Sequence, residues 1–257
     1  MTMTVSKLHF IASGSPKSKL ALASLTKRYE NYEFSIADVI VVLGGDGFLL
    51  QVLRDHEDND TPIYAMNRGT LGFLLNEYNE EGLLERINNA HKVKLCPIRM
   101  EAESIEGEKT LLKAYNEVSV IRYSAQSANL KVSVDGQVAL ENLNADGILV
   151  STPAGSTAYN LSAQGPIIPL NANLLALTPV SPFRPRRWKG ALVANTSVIE
   201  IENLDPVKRP IGSAADSQEV RDAKYIKVWQ DKNDSRTLLY DSGQSLESRI
   251  MIEQFKA

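Results

Sequence analysis

Apolar and polar residues follow two different rhythms along the chain, and the change falls near residue 95. Before it, residues 7–12 predict a first strand, and the unbroken apolar run at 39–43 and the apolar residues at 62–66 predict buried ones. Between the first two, Pro16 stands near a helix start, and Leu20, Ala21, Leu25 and Tyr29 recur at helical spacing. Residues 48–54 predict a second helix. Residues 80–90 predict a third, with Leu83, Leu84 and Ile87 on one side. Strands alternating with helices predict a parallel sheet of the doubly wound type. Ligands of such sheets bind at the carboxyl ends of strands, where residues 44–47 and 67–72 fall.

After residue 95 the period is two. Leu130, Val132 and Val134 alternate with Lys131, Ser133 and Asp135, and Asp135-Gly136 is a hairpin signal. Ile199 and Ile201 alternate with Glu200 and Glu202, and Ile226 and Val228 flank Lys227. The reading is an α/β domain over residues 1–95 and a mostly antiparallel, β-rich domain over 96–241. Residues 242–257 pack back on the first domain, with a terminal helix expected over 246–255.

Composition narrows the function classes. A 257-residue chain with 43% hydrophobic residues can bury a sizeable core. A net charge of −3 gives no support for nonspecific nucleic-acid binding. No stretch reaches the ~18 continuous apolar residues of a membrane span, and residues 1–10 lack a signal-peptide core. Cys96 is the single cysteine and reads as a buried structural thiol, so a disulfide within the chain is excluded and the cytoplasm is the expected setting. His9, His56 and His91 are not spaced as metal ligands, and no protein metal ligand is expected.

Five stretches are candidates for chemistry. Gly44-Gly45-Asp46-Gly47 follows the strand at 39–43 and precedes a helix. Glycines there allow positive φ and a close backbone approach, and a helix start is a ready phosphate site. Asp46 repels phosphate but suits a hydroxyl or a metal ion beside it, and a helix-capping Asp in an ordinary turn fits equally well. Asn116-Glu117 offers a donor and acceptor for a purine edge and an acceptor for ribose hydroxyls, or a cross-strand polar pair at a sheet edge. Residues 146–163 place hydroxyls, Gly155 and Pro153 after a buried strand, with Tyr159 available to pack on a ring. The same loop reads as a turn with Ser156 or Thr157 as N-cap. Asp216-Ser217-Gln218 reads as a turn, and residues 184–189 as a solvated basic face with an arginine over Trp188. Neither a Walker A stretch nor G-x-G-x-x-G occurs.

Together these stretches resemble the NAD kinases along most of the chain. The match comprises Gly44-Gly45-Asp46-Gly47, Asn67-x-Gly69-x-Leu71-Gly72-Phe73-Leu74, Asn116-Glu117, and Asp146-Gly147 through Thr152-Pro153-x-Gly155-Ser156-Thr157-Ala158-Tyr159. The resemblance implies transfer of the ATP γ-phosphoryl group to the 2′-hydroxyl of the adenosine ribose of NAD, with Mg²⁺, in a homodimer or homotetramer. It implies no nucleic-acid or membrane partner. Carried over, Asp46 is the general base, and Gly44, Gly45 and Gly47 meet the nucleotide. Asn116 and Glu117 contact adenine and ribose. Asp146, Ala154, Thr157, Ala158, Tyr159, Asn160, Leu161, Ser162 and Gln218 line the NAD site. Phe48 stands where many members of the wider superfamily have Thr, and Asn144 where some members have a basic residue. A lipid kinase of the diacylglycerol type shares the glycine turn, but the hydroxyl-rich loop argues against it. A non-catalytic nucleotide sensor is the other alternative.

Overall fold

The computed structural model describes residues 5–56, 59–70, 72–231 and 233–243. The chain forms two compact units, one of residues 1–95 with 235–257 and one of residues 96–234. The first begins with β1 (Leu8–Ala12), α1 (Pro16–Arg28), β2 (Val39–Gly44), α2 (Asp46–Asp55), β3 (Ile63–Asn67), α3 (Leu83–Asn88) and β4 (His91–Leu95). The second contains β5 (Ile98–Ser104), β6 (Lys109–Ala114), β7 (Glu117–Arg122), β8 (Ala128–Val134), β9 (Gln137–Ala145) and β10 (Gly147–Ser151). After a one-turn helix α4 (Tyr159–Ser162) come β11 (Leu174–Val180), β12 (Ala191–Ala194), β13 (Ile199–Asn203), β14 (Ile211–Ala215), β15 (Gln218–Val220) and β16 (Ala223–Gln230). The chain then re-enters the first unit as β17 (Arg236–Tyr240).

The first sheet has the order β1-β2-β3-β17-β4 and is parallel except at β4. Every residue of β2 is buried, as its unbroken apolar run requires of a strand covered on both faces. Leu8, Phe10, Val41, Leu43, Tyr64 and Met66 form a core with Ala21 and Leu25 of α1 and Leu83 and Ile87 of α3. Leu20 is 71% exposed, so the inner face of α1 is Ser18, Ala21 and Leu25 instead.

The second unit holds two antiparallel six-stranded sheets, β12-β11-β10-β7-β14-β15 and β6-β5-β16-β13-β8-β9. The period-two residues Leu130, Val132, Ile199, Ile201, Ile226 and Val228 share one core with Ile148 and Val150. Asp135 and Gly136 take φ of 52° and 76° in the turn from β8 to β9, the left-handed pair that a two-residue hairpin demands.

Two sequence expectations change, and a third falls outside the described residues. Residues 236–240, assigned to the β-rich domain, form a strand of the first sheet between β3 and β4, where Leu238, Leu239 and Tyr240 are buried. Cys96 is half-buried rather than buried. The terminal helix expected over 246–255 lies outside the described residues.

Candidate active site

In the first unit, β2 and β3 end side by side, with Gly44 opposite Asn67. The Gly44 carbonyl accepts from the Arg68 amide (2.7 Å), and Asn67 Oδ1 accepts from the Gly69 amide (2.8 Å). A Cβ on Gly69 would stand 3.3 Å from Gly45 Cα, so these two backbones approach closely because both residues are glycine. Positive φ plays no part. Gly45 lies at φ −111°, and neither Gly44 nor Gly47 is left-handed. The space beside Gly47 is open, since a Cβ there would meet nothing within 4 Å.

Helix α2 begins at Asp46, earlier than its apolar pattern suggests, with Gly45 as N-cap. A carboxylate in the first turn suits the positive end of the helix dipole. Asp46 reaches further than a local cap. Its Oδ2 accepts from the Phe73 amide (2.8 Å) and its Oδ1 from the Leu74 amide (3.0 Å). The two glycine-bearing stretches are thus tied together by one acidic side chain, with its carboxylate plane set by two backbone donors.

In the second unit, Asn116 and Glu117 enter β7, an interior strand, so the sheet-edge alternative fails. Asn116 Oδ1 and Glu117 Oε2 are both buried without a hydrogen-bond partner. Buried polar atoms are ordinarily paired, and each orphan costs free energy, so two on adjacent residues mark a place built for something else. Burial first, and the charge of Asp216 second, push the Glu117 carboxyl up to about 8. A carboxyl raised that far holds a proton near neutral pH, so Glu117 can donate as well as accept.

The loop after β10 closes over this pair. Thr152 donates from its amide to the Asn116 carbonyl (2.9 Å) and from Oγ1 to the Tyr115 carbonyl (2.6 Å). Thr152 Oγ1 also accepts from the Gly155 amide (3.0 Å). Neither Ser156 nor Thr157 is an N-cap. Pro153 precedes the short 3₁₀ turn Ala154–Thr157, and Ser156 Oγ bridges the Pro153 carbonyl (2.7 Å) and the Ile168 amide (3.0 Å). Asn160 is wholly buried. Its amide donates to the Ser156 and Pro166 carbonyls, and its Oδ1 accepts from Thr178 Oγ1 at 2.6 Å. The Asn160 side chain thus holds the loop, and its backbone carbonyl accepts from the Gly165 amide (2.8 Å). Ala154 and Thr157 are buried, Ala158 and Leu161 are half-buried, and Tyr159 and Ser162 are exposed.

Asp146, just before β10, accepts from Arg122 Nε at 2.5 Å, a partner that the sequence did not reveal. Gln218 is exposed at the start of β15. Asn144 Oδ1 lies 3.5 Å from Arg209 Nη1, so a guanidinium stands beside this neutral position. Arg184 and Arg186 stack over Phe183 and not over Trp188, which packs against the core.

Two family models match. The N-terminal domain of ATP-NAD kinase covers residues 5–92, and its C-terminal domain covers residues 115–238. The NAD kinase of Mesorhizobium japonicum is 48% identical over 256 residues, covering 100% of both chains. That of Caulobacter vibrioides is 48% identical over 253 residues, 98% of this chain and 97% of the other. Yeast NADH kinase complexed with NADH has the same fold, with a TM-score of 0.85 at 19% identity, covering 100% of this chain and 89% of the other. An NAD kinase from Archaeoglobus fulgidus in complex with ATP aligns with a TM-score of 0.72 at 21% identity, covering 95% of this chain and 98% of the other. With both domain models matched in order and relatives this similar over their whole length, the chain belongs to the ATP-NAD kinase family.

Proposed function

We propose that this chain transfers the γ-phosphoryl group of ATP to the 2′-hydroxyl of the adenosine ribose of NAD, with Asp46 as the group that receives the hydroxyl proton. The observation that carries this reading is the anchored Asp46 carboxylate beside the open face of Gly47. The hydroxyl oxygen forms a bond to the γ-phosphorus as the bond from that phosphorus to the β–γ bridging oxygen breaks. The proton passes to Asp46, ADP leaves, and NADP remains. A carboxylate is a weak base towards a ribose hydroxyl. Proton transfer is then late, and Asp46 contributes largely by orienting the hydroxyl.

Asn116 and Glu117 supply the polar contacts to the nucleoside, the first with an acceptor and the second with a donor. Tyr159, 39% exposed, offers an aromatic face. Gly44, Gly45 and Gly47 bring backbone close to phosphate at the start of α2. Asp146, Ala154, Thr157, Ala158, Leu161, Ser162 and the backbone of Asn160 complete the NAD contacts, with Gln218 at their margin.

Among the described residues, no three His, Cys, Asp or Glu side chains gather to hold a metal by themselves. Mg²⁺ keeps several waters and binds through one or two carboxylates with substrate phosphates, so a single carboxylate beside a phosphate site fits it. Asp46 is the side chain that would reach it. When bound with ATP, Mg²⁺ neutralises phosphate charge. We also place the enzyme in the cytoplasm, in keeping with its single cysteine, and infer that it is a homodimer or homotetramer. Leu192, 49% exposed on the sheet-edge strand β12, supports an assembly through the second unit.

The test is NADP formation from NAD, ATP and Mg²⁺, run beside a lipid panel. Turnover of NAD alone is expected. Lipid phosphorylation, or nucleotide binding without turnover, overturns the reading.

A further inference from the structure

Asp216 sits in the two-residue turn that joins β14 to β15, with Ala215 opposite Gln218. It takes φ of 51°, a left-handed conformation that Asp tolerates better than most residues. A residue chosen for the turn alone has no need of a charged side chain. Yet Asp216 makes four hydrogen bonds to one short segment. Its amide donates to the Glu117 carbonyl (3.0 Å). Its Oδ2 accepts from the Tyr115 amide (3.0 Å), and its Oδ1 from the amides of Asn116 (2.9 Å) and Glu117 (3.3 Å).

These bonds fall where the ladder stops. Strand β14 pairs with β7 as far as Ala215 opposite Val118, and the three amides just before that point all turn to the Asp216 carboxylate. Asp216 satisfies all three with one carboxylate. The segment it grips carries the two orphaned atoms, Asn116 Oδ1 and Glu117 Oε2.

We infer that Asp216 is a positioning residue, holding the backbone of Asn116 and Glu117 in the geometry that receives the nucleotide. This rests on the reading that Asn116 and Glu117 contact NAD. A preformed site avoids ordering the segment on binding, so loss of the clamp weakens affinity and leaves the chemical step nearly untouched. Asp216 acts on Glu117 a second way, as the charged group that raises its carboxyl beyond the effect of burial. Opposite Glu117 on β10 stands Ser151, which carries no charge.

Asp216→Asn tests this, because Asn also accepts left-handed φ and so keeps the turn. It removes the charge and turns one acceptor into a donor facing backbone N–H groups. KM for NAD should rise about tenfold or more, with kcat within about threefold. The pH midpoint of NAD affinity should move down, because a negative neighbour of Glu117 is gone. Asp216→Glu, which restores the charge, should recover the midpoint. Unchanged KM and midpoint with only a lower thermal midpoint would make Asp216 a plain turn residue and overturn the inference. Should Asp216→Asn not fold, amide exchange in the unaltered chain decides. The Tyr115, Asn116 and Glu117 amides should be protected without nucleotide, and fast exchange there overturns the inference. A wild-type chain that fails to bind NAD defeats the functional reading instead, which separates the two failures.

Discussion

A Cβ placed on Gly155 would lie 2.2 Å from the carbonyl oxygen of Asn116. The loop after β10 therefore rests on the segment that carries Asn116 and Glu117, and only glycine permits the contact. Gly155→Ala must push that loop away from Asn116, breaking the Thr152 bonds to the Tyr115 and Asn116 carbonyls. Overpacking that shifts backbone costs roughly 1–3 kcal/mol. A lower thermal midpoint together with lost NAD binding is expected, and a variant that binds NAD normally would show the contact to be slack.

Asp46→Asn should act on both chemistry and stability. The amide nitrogen of Asn faces either the Phe73 or the Leu74 N–H, donor against donor, which costs about 1–3 kcal/mol. Losing a general base typically removes 10²- to 10⁴-fold of rate, so kcat is expected to fall on the order of 10² or more. Steady-state NADP formation beside thermal melting separates the effects. A melting point that drops while kcat holds would leave Asp46 as a clamp only.

Asn116→Ala removes an atom that is orphaned in the nucleotide-free chain. Its effect on folding stability should therefore be small, because no hydrogen bond is lost and a buried polar atom is relieved. Binding is different. A lost hydrogen bond to a buried base edge costs roughly 1–3 kcal/mol, or about 5- to 150-fold in KM for NAD, with kcat little changed. A large fall in kcat at constant KM would mark Asn116 as catalytic.

Glu117 gives stability a pH dependence of known sign. Its folded carboxyl is raised to about 8 from an ordinary 4.5. The folded chain thus holds this proton more tightly than the unfolded chain. The contribution is fully present below 4.5 and is lost as pH rises through about 8. The slope reaches at most about 1.4 kcal/mol per pH unit from this group. Urea melts across that range should flatten in Glu117→Gln. Parallel curves for the two proteins would show that Glu117 titrates normally.

If the site depends on the homo-oligomer, dilution should lower NAD binding and turnover together. A charged residue in place of Leu192 on the edge strand β12 should do the same at higher concentration. Sedimentation beside activity decides, and a fully active monomer would end this reading.

Much of the fold was legible because its signals are local. The apolar run of β2 announces burial on both faces, and the period-two pattern of β8 and β13 announces burial on one. Gly44 to Gly47 and the loop after β10 were recognisable because turns need particular residues at particular places. The boundary near residue 241 was misplaced because a strand's own pattern says that it is buried, not in which sheet. Residues 236–240 are buried in either assignment, and only the open position between β3 and β4 selects one.

The sequence by itself determined which residue types stand at each strand end and which face of each strand is apolar, since these follow from neighbours within a turn or two. The tertiary structure alone decided the partners of the charged groups. Asp46 meets Phe73 and Leu74, Arg122 meets Asp146, and Asp216 reaches Asn116 across 100 residues. Asp46 and Asp216 each settle on neighbouring backbone amides far away in the chain, and those amides stand as a group only once distant segments lie side by side.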